Sequence, residues 1–286
     1  MQLKRILDNL YDRRSPAHLA NDPLSFCRRY PDPADREVVG FIAAAFAYGN
    51  VKIILRNLET IFAELGERPR RAIERFEPRA GLQRFSSFKH RFNDGRDLCA
   101  LLHAVKTMLA EAGSIEAFFL RGFDPADDDI GPALDRFSTA MLALDHSPVF
   151  GGPAIPADSY FPFFFPAPAG GSACKRACMF LRWMVRPDDG IDLGLWRSIP
   201  PARLIIPVDA HILRIGRFLR FTNRRQGDWK TAREITARLR LLDPADPVKY
   251  DFSLCHLGIS EGCGRQNRQA CLTCDIAGIC DGKGVP

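Results

Sequence analysis

The sequence contains no long hydrophobic run. Its longest uncharged apolar stretches, 41–48 and 160–168, stop far short of the roughly 20 residues a membrane-spanning helix needs, so no membrane partner is expected. The first 14 residues are charged throughout and carry no apolar core. No secretory leader is therefore expected, and the cysteines should meet a reducing cytoplasm. Strand signals are weak, and no internal repeat or low-complexity tract is present. Neither sign of charge is in large excess: 40 Lys and Arg against 34 Asp and Glu give +6 and a pI near 8.9, which means little beyond solubility. With 46% apolar residues, the 286-residue chain can build one large domain or two modest lobes.

What is present is helical periodicity. Over 37–65, apolar residues fall at Val38, Val39, Ile42, Ala45, Phe46, Ile53, Ile54, Leu58 and Ile61, with a break near Gly49 and Asn50, which predicts two helices joined at a short turn. Similar stripes occupy 97–112 and 130–144. Repeated prolines and aromatics make 153–168 a structured loop. A helix over 173–185 follows Gly170, Gly171 and Ser172. Asp209 opens another, with Ile212, Ile215, Gly216 and Leu219 on one face, and 231–242 and 250–257 complete the set. The expected fold class is all-α.

Nine cysteines divide into two groups. Cys27, Cys99, Cys174, Cys178 and Cys255 are scattered in apolar or helical surroundings, as buried thiols are. Cys263, Cys271, Cys274 and Cys280 stand in the order C-x7-C-x2-C-x5-C. Thiolates so close in sequence can wrap one metal centre, because the C-x2-C pair supplies two ligands from one turn and the flanking cysteines close the shell. Structural zinc sites usually split into two distant pairs, whereas one pair with outlying cysteines and no histidine is closer to an iron–sulfur loop. A 4Fe-4S cluster is the expected cofactor, with zinc as the alternative, and a pair of disulfides would suit a small secreted domain instead. His211 and His256 sit on apolar helices and read as packing residues.

The position of charge says more than its sum. Between Arg203 and Arg240 ten cations face only Asp209, Asp228 and Glu234, a bias that suits a phosphate backbone and equally a solvated helix face. The stretch from Arg84 and Phe85 through Lys89, His90, Arg91 and Phe92 mixes cations with aromatics, as nucleic-acid surfaces and amphipathic edges both do. Tyr160, Phe161, Phe163, Phe164 and Phe165 read as core, or as a wall for a base taken out of its stack.

The segment L-I-I-P-V-D-A-H-I-L-R-I from Leu204 to Ile215, a later helix ending in Leu257 and Gly258, and the four cysteines together resemble the second half of the helix-hairpin-helix DNA glycosylases, above all the endonuclease III group. In that group a V-D-T-H segment carries the catalytic aspartate, and a C-x6-C-x2-C-x5-C loop holds a 4Fe-4S cluster. The resemblance covers roughly 170–280 and, more loosely, 37–62. The stretches G-S-A-C-K-R, from Gly171, and M-F-L-R-W-M-V-R, from Met179, are also similar to a prokaryotic family catalogued as domain of unknown function 2400.

The resemblance implies a two-lobed helical bundle: a barrel lobe over 33–200 with a hairpin-like turn at 168–175, and a second lobe from 1–32 and 201–286 that ends in the cluster loop 263–280. It implies a cytoplasmic, nucleoid-associated base-excision enzyme acting on double-stranded DNA with a damaged or mismatched base, with no obligate protein partner. Asp209 matches the catalytic aspartate, whose carboxylate stabilises the positive charge that develops on the sugar. It is also a good N-cap for the helix it opens. Lys175 matches the lysine whose amine attacks C1′ and forms a Schiff base in the lyase-competent members, chemistry open to an amine whose neutral form is favoured by desolvation or neighbouring cations. Its alternative is a surface lysine beside Arg176.

The sequence departs from the family pattern at three places. P-A-G-G-S-A replaces the usual L-P-G-V-G hairpin, and Lys175 precedes Asp209 by 34 residues, farther than in endonuclease III and close to archaeal 8-oxoguanine glycosylases. One extra residue also separates Cys263 from Cys271, which keeps zinc in play. The implied DNA contacts are the amides of Gly170, Gly171 and Ser172 around one phosphate, the side chains of Arg176, Arg214, Arg265 and Arg268, and Asn50 inserted into the duplex gap. A protein that binds DNA or RNA on the same scaffold without chemistry is the other reading.

Overall fold

The computed structural model describes residues 2–13, 16–259, 263 and 268–282. The chain forms two compact units: Met1–His18 joined with Pro168–Pro286, and Leu19–Ala167 between them in sequence. The edges fall at 18/19 and 167/168, where the sequence suggested 32/33 and 200/201. Helix dominates, in agreement with the all-α expectation, and no helix among the described residues is long and apolar enough to cross a membrane.

After α1 (Gln2–Arg13), which belongs to the discontinuous unit, the Leu19–Ala167 unit holds α2 (Pro33–Phe46), α3 (Val51–Leu65), α4 (Pro69–Glu74), α5 (Pro78–Arg84), α6 (Gly95–Ala112), α7 (Ile115–Leu120), α8 (Gly131–Ala143) and α9 (Ser147–Phe150). Asp32 starts α2 by accepting the Ala34 amide at 2.9 Å, and Pro33 follows with its φ already helical. All residues from Glu37 to Phe46 are buried, so α2 is the unit's central helix. Its one buried carboxylate there, Glu37, accepts the amides of Ile115 and Glu116 at 3.1 and 2.8 Å and so caps α7. The predicted break is real: Gly49 has φ +100°, and Asn50 caps α3 by accepting the Lys52 amide at 3.0 Å. Asp94 and Asp97 form a reciprocal capping box at the start of α6.

A two-stranded antiparallel hairpin, β1 (Lys89–His90) and β2 (Asn93–Asp94), was not expected. Its turn is Arg91 and Phe92, with Arg91 left-handed at φ 53°. Beneath the turn His90 and Asn93 are fully buried. Tyr48 Oη donates to the His90 carbonyl at 2.9 Å, Asn57 Nδ2 donates to the Lys89 carbonyl at 2.9 Å, and Asn93 Nδ2 donates to the Tyr160 carbonyl at 2.9 Å. Such a satisfied polar network holds a short hairpin that two-residue strands alone cannot.

The discontinuous unit continues with α10 (Lys175–Val185), α11 (Ala210–Phe218), α12 (Trp229–Arg240), α13 (Asp251–Ile259) and α14 (Arg268–Leu272). Trp183, Trp196 and Tyr250 fill its core. A buried ion network runs through it. Arg182 is bonded to Asp192 at 3.1 Å and to Asp251, while Arg186 is bonded to Asp192, to Asp189 at 3.0 Å and to Asp246 at 2.8 Å. Removing one member of such a buried pair leaves a charge without compensation, at a cost of about 3–5 kcal/mol.

Candidate functional site

The V-D-A-H segment folds as its local chemistry requires. Asp209 is extended at φ −108° and caps α11: its Oδ1 accepts the amides of His211 and Ile212, both at 2.8 Å. That leaves Oδ2 pointing elsewhere, and there it accepts the thiol of Cys255 from α13 at 3.4 Å. Helices α11 and α13 come this close because Gly258 faces His211; a Cβ at Gly258 would lie 2.2 Å from His211 Nδ1. His211 and His256 thus pack, as expected, with the His256 ring 4.2 Å from that of Phe252.

Lys175, half-buried, is the first residue of α10. The turn before it is tight. Cys174 adopts a left-handed conformation at φ 47°, its amide donates to Ser172 Oγ at 3.1 Å, and Gly171 lies at φ +81°. Burial pushes the Cys255 thiol well above its ordinary range, the Asp209 and Asp251 carboxylates push it further, and the Lys175 ammonium opposes them. The charges of Lys175, Asp209 and Asp251 therefore all bear on one half-buried thiol. Burial raises Asp251 to about 6, against the pull of Arg182 and with a further push from Asp209.

The turn at 168–175 also meets α12. The Trp229 amide donates to the Gly171 carbonyl at 3.2 Å, and Ser172 pairs with Asp228. Asp228 caps α12 by accepting the Thr231 amide at 2.8 Å, and the Arg224 guanidinium holds its carboxyl down at about 2. Arg225 and Lys230, on either side of this contact, are exposed. No α-helix leads directly into the turn. The residues before it are 3-10 turns, Phe161–Phe164 and Pro168–Gly170, in a stretch whose prolines Pro162, Pro166 and Pro168 deny α-helical bonding.

The expected DNA contacts fare unevenly. Gly170 and Gly171 are exposed and Ser172 is half-buried, but the Gly171 amide is already donated to the Pro168 carbonyl at 2.8 Å, so it is not available to a phosphate. Arg176 is buried, with 8% of its surface exposed, which removes it from a surface role. Arg214 donates to the Cys263 carbonyl at 2.7 Å and contacts His211 Nδ1 at 3.1 Å, so it ties α11 to the cysteine segment. Asn50 lies in the other unit as the cap of α3. Arg265 is outside the described residues, and Arg268 is placed only as the first residue of α14.

Cys263, Cys271, Cys274 and Cys280 are all half-buried and free of disulfides. Burial raises the Cys280 thiol, the Gly282 amide lowers it, and the charges of Cys263 and Cys271 raise it further. Cys280 Sγ accepts the Gly282 amide at 3.3 Å, the kind of bond that tunes a ligating sulfur. Among the described residues, no three His, Cys, Asp or Glu side chains converge tightly enough to grip a metal ion. The donor set, four thiols in one short segment, fits a thiolate-ligated centre by its chemistry.

Two features escaped the sequence. Cys255 had read as a packing thiol, yet Asp251 and Cys255 are four apart and so share one face of α13. The buried pair Arg182 and Arg186 has the same spacing, with Arg182 in α10 and Arg186 just past its end. Two arginines four apart around the apolar Trp183, Met184 and Val185 are the signal that would have found the ion network.

No curated protein and no solved structure matches the chain. A family model matches residues 22–260, and the chain belongs to the family it describes, Protein of unknown function (DUF2400).

Proposed function

We propose that this protein is a DNA base-excision glycosylase with an AP-lyase step carried by Lys175. The supporting observation is that Asp209 touches the half-buried thiol of Cys255 at 3.4 Å and that the charge of Lys175, 34 residues before Asp209 in sequence, also bears on that thiol. In this reading the Lys175 amine, once its proton has been removed, adds to C1′ as the N-glycosidic bond breaks and the base leaves with its electron pair. Loss of the amine proton and opening of the sugar give an imine. Removal of a C2′ proton then expels the 3′ phosphate by β-elimination. Asp209, oriented by two backbone amides and one thiol, stabilises the cationic sugar. The exposed Gly170–Gly171 turn, with Arg225 and Lys230 beside it, supplies a cationic surface for the strand. Cys263, Cys271, Cys274 and Cys280 would hold a 4Fe-4S cluster, or zinc, as a structural clasp.

The test is borohydride trapping. Reduction of the imine should join the full chain covalently to a duplex that carries an abasic site, and Lys175→Gln should abolish the adduct while leaving the melting temperature within a few degrees. Trapping undiminished in Lys175→Gln would assign the amine elsewhere. No adduct and no base release across a panel of oxidised, deaminated and alkylated duplexes would leave a nucleic-acid-binding protein without chemistry.

A further inference from the structure

The β1–β2 hairpin presents an aromatic platform that faces solvent. Phe92 at its turn is 44% exposed, Tyr160 49% and Phe163 40%. They are assembled rather than scattered. The Phe92 and Tyr160 rings stack at 5.4 Å with 23° between planes, Phe163 meets Phe92 edge-on at 6.0 Å, and Tyr48 backs Phe163 at 5.0 Å. Rings this exposed cost free energy unless something covers them, and contiguous apolar patches usually mark a binding surface.

The platform is also held rigid. Asn93, fully buried, bonds the Tyr160 carbonyl, and Ser159 Oγ donates to Asp97 Oδ1 at 2.6 Å. The run from Ser159 to Phe163 is thereby pinned to the hairpin and to the start of α6. A rigid aromatic surface loses little conformational entropy when a flat partner settles on it.

Charge identifies the partner. The Arg91 guanidinium lies 5.3 Å over the Phe92 ring, and Arg91 is packed against Gly49, where a Cβ would come within 2.7 Å of its side chain. Lys89 and Lys52 are exposed on the same hairpin and on the first turn of the helix that follows Gly49. Among the described residues Lys89, Arg91 and Lys52 form no ion pair, whereas the nearby carboxylates Asp94 and Asp158 are taken by Arg96 at 3.5 and 2.9 Å. Stacked rings bordered by cations without counter-charges match a flat base attached to a phosphate.

We infer that the hairpin is a binding site for single-stranded nucleic acid, in which an unpaired base continues the Phe92–Tyr160 stack and Arg91 and Lys89 take its flanking phosphates. The site is independent of the Lys175 chemistry.

Anisotropy of a short labelled oligothymidylate with the full chain tests it, with heparin as a base-free polyanion. Phe92→Ala and Tyr160→Ala should each weaken oligothymidylate binding by about 5- to 100-fold, the range for one lost stacking partner, and leave heparin binding unchanged. Phe92→Trp should keep the affinity, and its added fluorescence should be quenched by the oligonucleotide. Lys175→Gln should leave binding intact, which separates this site from the proposed lyase. Wild-type affinity in both alanine variants, an equal loss of heparin binding, or an unquenched Phe92→Trp would each overturn the assignment. So would a proline-rich peptide that occupies the patch without competing with oligothymidylate.

Discussion

At the scale of single residues, Asp209 carries two duties that substitution can separate. Its Oδ1 caps α11 and its Oδ2 faces Cys255. Asparagine caps a helix as well as aspartate does, so Asp209→Asn should leave stability within about 0.5 kcal/mol while removing the charge that stabilises the sugar cation. Base release should then fall by about 10²–10³-fold, the loss expected for one preorganised electrostatic group. Asp209→Ala should lose the same activity and also about 1 kcal/mol of stability from the missing cap. Melting curves and single-turnover rates on both variants check this; equal rates for Asp209→Asn and wild type would reduce Asp209 to a cap. The sequence made Asp209 and Lys175 legible because each sits in a motif with order and spacing. It hid Cys255, since one thiol on an apolar helix looks the same whether it packs or points at a carboxylate. It also misplaced Arg176: a cation beside Lys175 reads as surface until the helix phase puts one residue inside and the other half out.

At the scale of elements, the long helices were legible and the short pieces were not. The stripes read over 37–65, 97–112 and 130–144 correspond to α2 and α3, α6, and α8, with ends shifted by only a few residues, because a buried face repeats over several turns. The β1–β2 hairpin has two residues per strand, too few for alternation to show, and depends on contacts from Tyr48 and Asn57 that lie about 30 or more residues away. The stretch 153–168 was expected as a structured loop, and its prolines yield short 3-10 turns ahead of α10 that periodicity does not register. Helix spacing at the candidate site rests on one glycine. Gly258→Ala should force α11 and α13 apart, because the new Cβ would meet the His211 ring at 2.2 Å and its Cβ at 2.8 Å. Overpacking of this kind costs about 1–3 kcal/mol, and it should also slow base release by moving Cys255 away from Asp209. A control change at Gly113, where nothing stands within 4 Å, carries the penalty of its left-handed φ of +81° without the clash. Gly113→Ala should therefore lose stability but keep the rate per folded molecule, and a matching rate loss would show that Gly258→Ala acts through stability alone.

At the scale of the whole molecule, the unit that holds the candidate site is built from both ends of the sequence. Helix α1 buries Leu7 and Leu10, its Asp8 is bonded to Lys249 at 3.0 Å and to Tyr250 at 2.6 Å, and its Tyr11 to Asp189 at 2.5 Å. The ion network of Arg182 and Arg186 lies in the same unit, and its titration gives the molecule a pH signature. Burial lifts Asp251 from 3.8 to about 6. Between those values the unfolded chain has released this proton and the folded chain still holds it, so a rise in pH favours unfolding. The contribution of Asp251 is thus fully present below about 3.8 and lost as pH passes about 6. Asp8 and Asp228 act with the opposite sign: hydrogen-bonded cations hold both near 2, so their contribution is present above about 3.8 and lost as pH falls toward 2. The two windows do not overlap, which makes the Asp251 term measurable by itself. In Asp251→Asn the titrating group is gone. The melting temperature of the wild type relative to that variant should fall steadily between pH about 4 and about 6 and level off above. Parallel curves through that window would mean that Asp251 releases its proton like an exposed carboxylate, and that burial does not hold it in the folded protein.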